Sequence, residues 1–169
     1  MIAALPDNLE FQIRGERMET GGFCKCFKPH AFVQVYSVYV APTNQYFQGK
    51  PLGNTEVVLS NCNPTFTTKV PFKKTLNTSN TFDFLFLDSE DGEHPKPICM
   101  PSNNFYFGEG RGTGRATLES ILRQQPVKVQ TSENSRRGNL CAREYSGTLH
   151  VSVGPASGGV TPAVVPRME

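Results

Sequence analysis

Phe23, Lys25, Phe27 and Lys28 interleave two aromatic rings with two ammonium groups in one short stretch. At a loop tip, such rings can enter the headgroup boundary of a bilayer while the lysines meet anionic phosphates, each cation contributing about 1 kcal/mol near an acidic leaflet. The competing reading tucks Phe23 and Phe27 under the edge of the fold, because large aromatics are highly buried on average. The same stretch holds Cys24, Cys26 and His30, a Cys-x-Cys-x₃-His spacing with metal-ligand chemistry. A structural zinc usually takes four ligands, and the fourth would have to come from the distant His94 or Cys99, so plain loop thiols are the simpler reading. Lys69, Lys73 and Lys74 form a second basic cluster, which either meets anions or guards a strand edge against pairing. Asp88, Glu90, Asp91 and Glu93 form a run of carboxylates whose default reading is a solvated acidic loop.

Nothing in the sequence assembles a catalytic set. His30, His94 and His150 are scattered, no Gly-x-Ser-x-Gly is present, and the cysteines lack a catalytic local pattern. Gly108-Glu-Gly-Arg-Gly-Thr-Gly114 superficially resembles a phosphate-cradling glycine loop, but it lacks the Gly-Lys-Ser/Thr ending and the βαβ context. The expectation is a protein that is not an enzyme. The 169 residues fit one domain, with 37% hydrophobic and 19% charged content and a net charge of +2. A pI near 8.3 argues against a generic nucleic-acid binder, which usually carries a distinctly basic face. The N-terminus lacks the basic and apolar regions of a secretory signal, and no apolar run is long enough for a spanning helix. Five irregularly spaced cysteines do not describe a paired disulfide framework, so a reducing, cytoplasmic setting is expected.

Positioning these groups falls to strands, because period-two alternation recurs and helical periodicity is nearly absent. Leu9–Ile13 alternates cleanly, with Leu9, Phe11 and Ile13 inward. Phe32–Val40 is apolar on both faces, as a central strand of a two-layer packing would be. Thr55–Leu59 and Lys69–Lys73 are predicted as strands joined by the turn residues 60–64, with Pro71 placing the second on an edge or at a bulge. Phe82–Leu87 gives the strongest signal, with Phe82, Phe84 and Phe86 on one face and Leu85 and Leu87 on the other. A loop spans Asp88–Asn104, too long for a mere connection, and Phe105–Gly108 resumes a strand. Ala116–Arg123 has Leu118, Ile121 and Leu122 at helical spacing, predicting one short helix. Val127–Val129 and Gly147–Val153 complete the strands, and His150 falls on the solvent phase of its alternation. From Gly154 onward, small residues and prolines predict a flexible tail or linker over 154–169, leaving 1–153 as the folded domain. The pattern describes an all-β fold, an antiparallel eight-stranded β-sandwich with one short helix.

Pro29-His-Ala-Phe-Val-Gln-Val-Tyr36, Gly53-Asn-Thr-Glu-Val-Val58, Asn63-Pro-Thr-Phe66, Phe82-Asp-Phe-Leu-Phe-Leu-Asp88, Phe105-Tyr-Phe-Gly-Glu109 and Gly147-Thr-Leu-His-Val151 follow one another in an order that resembles the spine of a C2 domain. The nearest flavour is the N-terminal C2 domain of copines, with that of inositol polyphosphate 4-phosphatases second, and the resemblance covers about Leu9 to Val153. It implies a C2-like sandwich of type II topology, in which the first strand leads directly into the loop before Phe32. Calcium-dependent members hold ions between two loops with several Asp carboxylates, since the cation wants 6 to 8 oxygen ligands. The first loop here offers Gly22, Cys24 and His30 with Lys25 and Lys28 in place of that acid, so only Asp88 and Glu90 remain as ligands of a weak calcium site. In members that bind phosphoinositides, lysines on the middle strands hold the headgroup, and Lys69, Lys73 and Lys74 are similar in placement. The resemblance therefore implies a peripheral module at anionic membrane lipids, calcium-independent or weakly calcium-dependent, with no obligatory cofactor. Phe23, Lys25, Phe27, Lys28, Lys69, Lys73 and Lys74 would form its lipid-binding set. The alternative is a protein-interaction module that offers a strand edge or loop to a partner or to itself, without lipid binding.

Overall fold

The computed structural model describes residues 2–21, 30–88, 111–131 and 144–156. A 3₁₀ turn at Ile2–Ala4 precedes β1 (Asn8–Gly21), β2 (Ala31–Val40), β3 (Tyr46–Asn54), β4 (Val70–Lys73) and β5 (Thr81–Asp88). Then come β6 (Arg111–Thr117), the short helix α1 (Leu118–Leu122), β7 (Val127–Thr131) and β8 (Glu144–Pro155). The strands form one antiparallel order, β3-β2-β5-β6-β7-β8-β1-β4, in which the first strand pairs with the last. Among the described residues two pairs join β6 to β7, and there the sheet folds over into two four-stranded layers. The layers face each other: Phe11 of β1 stacks on Phe72 of β4 at 4.3 Å and meets Phe82 and Phe84 of β5 edge-on at 5.0 and 5.4 Å. This is the eight-stranded sandwich that the alternation predicts, in the type II order that the resemblance implies.

The inward phase is as the alternation requires. Leu9, Phe11 and Ile13, then Val33 and Val35, then Phe82, Phe84 and Phe86 all sit in one core cluster, while Phe32, Tyr36, Leu85 and Leu87 form a second on the other face of β2 and β5. α1 covers the end of the sandwich with Leu118 and Ile121, and its N-cap Thr117 accepts a hydrogen bond from the Ser120 amide. Pro71 lies on β4, the last strand in the order, which pairs only with β1.

Several expectations change. Thr55–Leu59 is not a strand, although Val58 makes a single bridge to Ala31. Thr55 Oγ1 accepts from the Val33 amide at 2.8 Å, a bond that a ladder carbonyl would otherwise make, and the Glu56 carboxylate takes up the amides of Thr67 and Thr68. Side chains thus satisfy the backbone here and the chain crosses between layers. Two strands form where the alternation predicts none: β3, whose Gly49, Pro51 and Gly53 mask its pattern, and β6, whose glycines do the same. β1 continues to Gly21 through a bulge between Glu16 and Glu19, where Arg17 has φ 54°. The helix is shorter than predicted, because Ala116 and Thr117 belong to β6. The predicted strand Phe105–Gly108 lies outside the described residues, and β5 pairs instead with the glycine-bearing β6. β8 extends to Pro155, with Gly154 opposite Glu10, so the strand runs two residues into the expected tail, of which 157–169 lie outside the described residues.

Candidate functional site

Pairing partners fix which strand ends lie together. Gly21 pairs with Glu144, Ala31 with Asp88, Leu87 with Arg111, and Gly112 with Thr131. The chain therefore leaves for residues 22–29, 89–110 and 132–143, and returns from them, at one end of the sandwich. Phe23, Lys25, Phe27 and Lys28, with Cys24 and Cys26, lie outside the described residues, as do Glu90, Asp91 and Glu93. Asp88 is the final residue of β5. The segment 55–69 closes the same end. His30 Nδ1 accepts from the Ser60 amide at 3.0 Å, the Met18 amide donates to the Cys62 carbonyl at 2.7 Å, and the Arg17 amide donates to Asn63 Oδ1 at 2.9 Å.

Glu56 is the hub of that segment. Its carboxylate accepts from the Thr67 amide at 2.7 Å, the Thr67 hydroxyl at 2.8 Å and the Thr68 amide at 3.0 Å. Partial burial alone would raise its pKa, but these donors outweigh it and hold the carboxyl at about 2, far below its ordinary 4.5. Among the described residues no group of three or more His, Cys, Asp or Glu side chains lies together.

The lysine cluster sits elsewhere. Lys73 pairs with Asn8, the first residue of β1, whereas the loop end begins at Gly21, the last. Fourteen strand residues at about 3.3 Å each separate the two ends by about 40 Å. The structure therefore does not bring Lys73 and Lys74 together with the loop end. Nor is β4 a middle strand, since it ends the sheet order. Lys69 pairs with Glu10 at 3.2 Å. Lys74 Nζ donates to the carbonyls of Ile2 and Leu5 at 3.1 and 2.7 Å, so its ammonium fastens the N-terminal turn to the sandwich. Lys73 is exposed on the edge.

A second surface was not foreseen. The β2–β3 hairpin leaves Tyr39, Tyr46 and Phe47 roughly half exposed, at the end away from the Ala31–Asp88 pair. Beside it, Asp83 is buried and bound in a fork by Arg115, with Nε and Nη2 at 2.7 and 3.0 Å, while Gln48 approaches at 3.4 Å. The Arg115 guanidinium lies 5.5 Å from the centre of the Tyr46 ring. Hydrogen bonding to Asp83 raises the pKa of Arg115 above its ordinary value. Tyr39 lies opposite Phe47 across the β2–β3 ladder, so the surface exists only through the pairing of β3.

No protein-family model matches the chain, and no curated protein sequence does so. Among solved structures, BON1-C2B superposes with a TM-score of 0.51 at 14% identity over 86% of this chain and 87% of that one. A C2 domain of plant Extended Synaptotagmin 1 aligns over 88% of this chain and 95% of its own, at 12% identity and a TM-score of 0.45. Human GIVD cytosolic phospholipase A2 aligns at 9% identity and a TM-score of 0.39, with 90% of this chain matching 18% of that one. The likeness to BON1-C2B, taken with the strand order, establishes a C2-type fold.

Proposed function

We propose that this chain is a peripheral targeting module that binds anionic phospholipid membranes through the loop end of a C2-type sandwich, independently of calcium or with a weak response to it. One observation carries the reading: Gly21 and His30 tether the aromatic and basic sequence 23–28 at the end where β5 delivers the acidic run that begins at Asp88. Residues 22–30 contain no carboxylate, so a calcium ion held by Asp88 and Glu90 would lack the second acidic loop that tight coordination needs. Calcium would act by neutralising the acidic run and strengthening the attraction of Lys25 and Lys28 to headgroups. Lys69 and Lys73 contribute at most as a side surface, since Lys74 is committed to the N-terminal turn. The module is not catalytic. The sequence resemblance to the N-terminal C2 domain of copines supports a cytoplasmic protein acting at membranes.

The test is co-sedimentation with phosphatidylserine vesicles, in chelator and in millimolar calcium, at two salt concentrations. Pelleting in chelator that weakens steeply with salt is expected, because screening shortens the reach of exposed charges. Pelleting only with calcium would overturn calcium independence, and no pelleting in either condition would overturn lipid binding. A second reading, a protein-interaction module without lipid binding, is favoured by the exposed Tyr39, Tyr46 and Phe47 on the β2–β3 hairpin.

A further inference from the structure

The outer face of the β1–β8 pair carries a cleft of about 410 Å³, distinct from the loop end and from the hairpin aromatics. Its floor follows from register. Gln12 lies opposite Ser152, and Arg14 opposite His150, on the outward phase of two strands whose inward phase is Phe11, Ile13, Leu149 and Val151. On one side β1 has lost β4 and is bridged instead by Thr65 of the crossing segment, at Arg14. On the other side the turn after α1 brings Gln124, Gln125 and Pro126 over His150.

The lining is rich in donors. The residues that line it carry three side-chain amides, two hydroxyls, the His150 imidazole and one guanidinium, that of Arg14. Both acidic side chains on this face of β1 are already engaged: Glu10 with Lys69 at 3.2 Å and Glu16 with His150 Nε2 at 2.6 Å. Arg14 makes no salt bridge among the described residues, and its charge acts on Glu16 only at a distance, adding to the His150 hydrogen bond a minor contribution to that carboxylate's lowered pKa. A guanidinium presents a planar fork suited to carboxylate and phosphate, and its charge rules against an apolar occupant. The volume falls within the range of about 300 to 1,000 Å³ typical of small-molecule sites, too large for a bare oxyanion and suited to one carried on a larger body. Amides of Gln12, Gln124 and Gln125 with the hydroxyls of Ser152 and Thr65 both donate and accept, which matches a hydroxylated body.

We propose that this cleft binds a phosphomonoester carried on a polyhydroxylated body, with Arg14 holding the phosphate and Gln12, Gln124, Gln125 and Ser152 holding hydroxyls. His150, fixed by Glu16, forms the wall between them. The proposal does not depend on the membrane reading, because the site lies on a side of the sandwich and its first test is in solution.

The test is titration calorimetry of the full chain with glucose 6-phosphate, glucose and inorganic phosphate. Saturable binding of glucose 6-phosphate, at least about tenfold tighter than either fragment, is expected. Arg14→Gln should lose at least about tenfold in affinity, whereas Arg123→Gln, on the helix surface in a pair with Glu119, should bind as the parent does. Amide-shift mapping on the unaltered chain guards against a misfolded variant: shifts should cluster at Gln12, Arg14, Gln124, Gln125 and His150. Vesicles bearing phosphatidylinositol 4-phosphate identify the source of the phosphate. Loss of pelleting in Arg14→Gln assigns a lipid headgroup, and unchanged pelleting with lost glucose 6-phosphate binding assigns a soluble ligand. No saturable binding of glucose 6-phosphate up to about 10 mM, equal binding of inorganic phosphate, or shifts scattered away from the cleft would overturn the assignment.

Discussion

Replacing Glu56 by Gln tests how the segment 55–69 closes the loop end. The carboxylate serves three donors on Thr67 and Thr68, and a glutamine of the same size offers one acceptor oxygen and places an amide group against those donors. The carboxyl is held at about 2 in the fold against an ordinary 4.5. Because the group keeps solvent on one side, that difference is discounted to about 1 to 2 kcal/mol at pH 7. Its sign is set by the lowered value: stability is fully present above 4.5, and it is lost as pH falls towards 2. Thermal denaturation of the parent and of Glu56→Gln should therefore differ by about 3 to 6 °C at pH 7. Urea unfolding at about pH 3 should show more than half of the difference gone. Equal stability at pH 7, or an undiminished gap at pH 3, would refute this account of the segment.

Asp83→Asn should cost about 2 kcal/mol in urea unfolding, because it weakens the fork between the buried Asp83 and the half-exposed Arg115. The double change Asp83→Leu with Arg115→Met should recover part of that loss, since it leaves no polar group at the buried position 83. Gly114→Ala should destabilise by about 1 to 3 kcal/mol, because a Cβ there would meet the Lys128 carbonyl oxygen at 2.6 Å and Val127 Cγ1 at 2.7 Å. An unchanged melting temperature for Gly114→Ala would mean that β6 and β7 are further apart than the fold requires.

Where one property decides the local structure, the sequence was legible. β2 and β5 carry aromatic and aliphatic residues on both faces, and both faces are buried, one in each core cluster. β3 and β6 are strands for reasons their residues hide. On β3, Gly49 leaves room for Ser37, whose Oγ a Cβ would meet at 2.7 Å, and Pro51 is tolerated on an edge strand between register shifts. On β6, Gly114 exists because β7 comes close, yet alternating glycines read locally as a loop. Thr55–Leu59 misleads in the opposite direction, since its β-branched residues suit a strand while Thr55 and Glu56 spend their side chains replacing one. Of the candidate site, the residue types of Phe23, Lys25, Phe27 and Lys28, which lie outside the described residues, were legible. The separate fate of Lys69, Lys73 and Lys74 was not, because a cluster in sequence says nothing of which ammonium will fasten a turn 69 residues away. The cleft on β1 and β8 is assembled from three distant segments, each ordinary when read alone.

The central claim, that the loop end and not the β4 flank meets the membrane, is tested most directly by comparing two variants in one vesicle assay. Phe23→Ala, Lys25→Glu, Phe27→Ala and Lys28→Glu together should abolish pelleting with phosphatidylserine vesicles in chelator, whereas Lys69→Glu with Lys73→Glu should reduce it by less than about threefold, as loss of exposed side charges would. Full pelleting by the loop variant, or loss confined to the flank variant, would contradict the account.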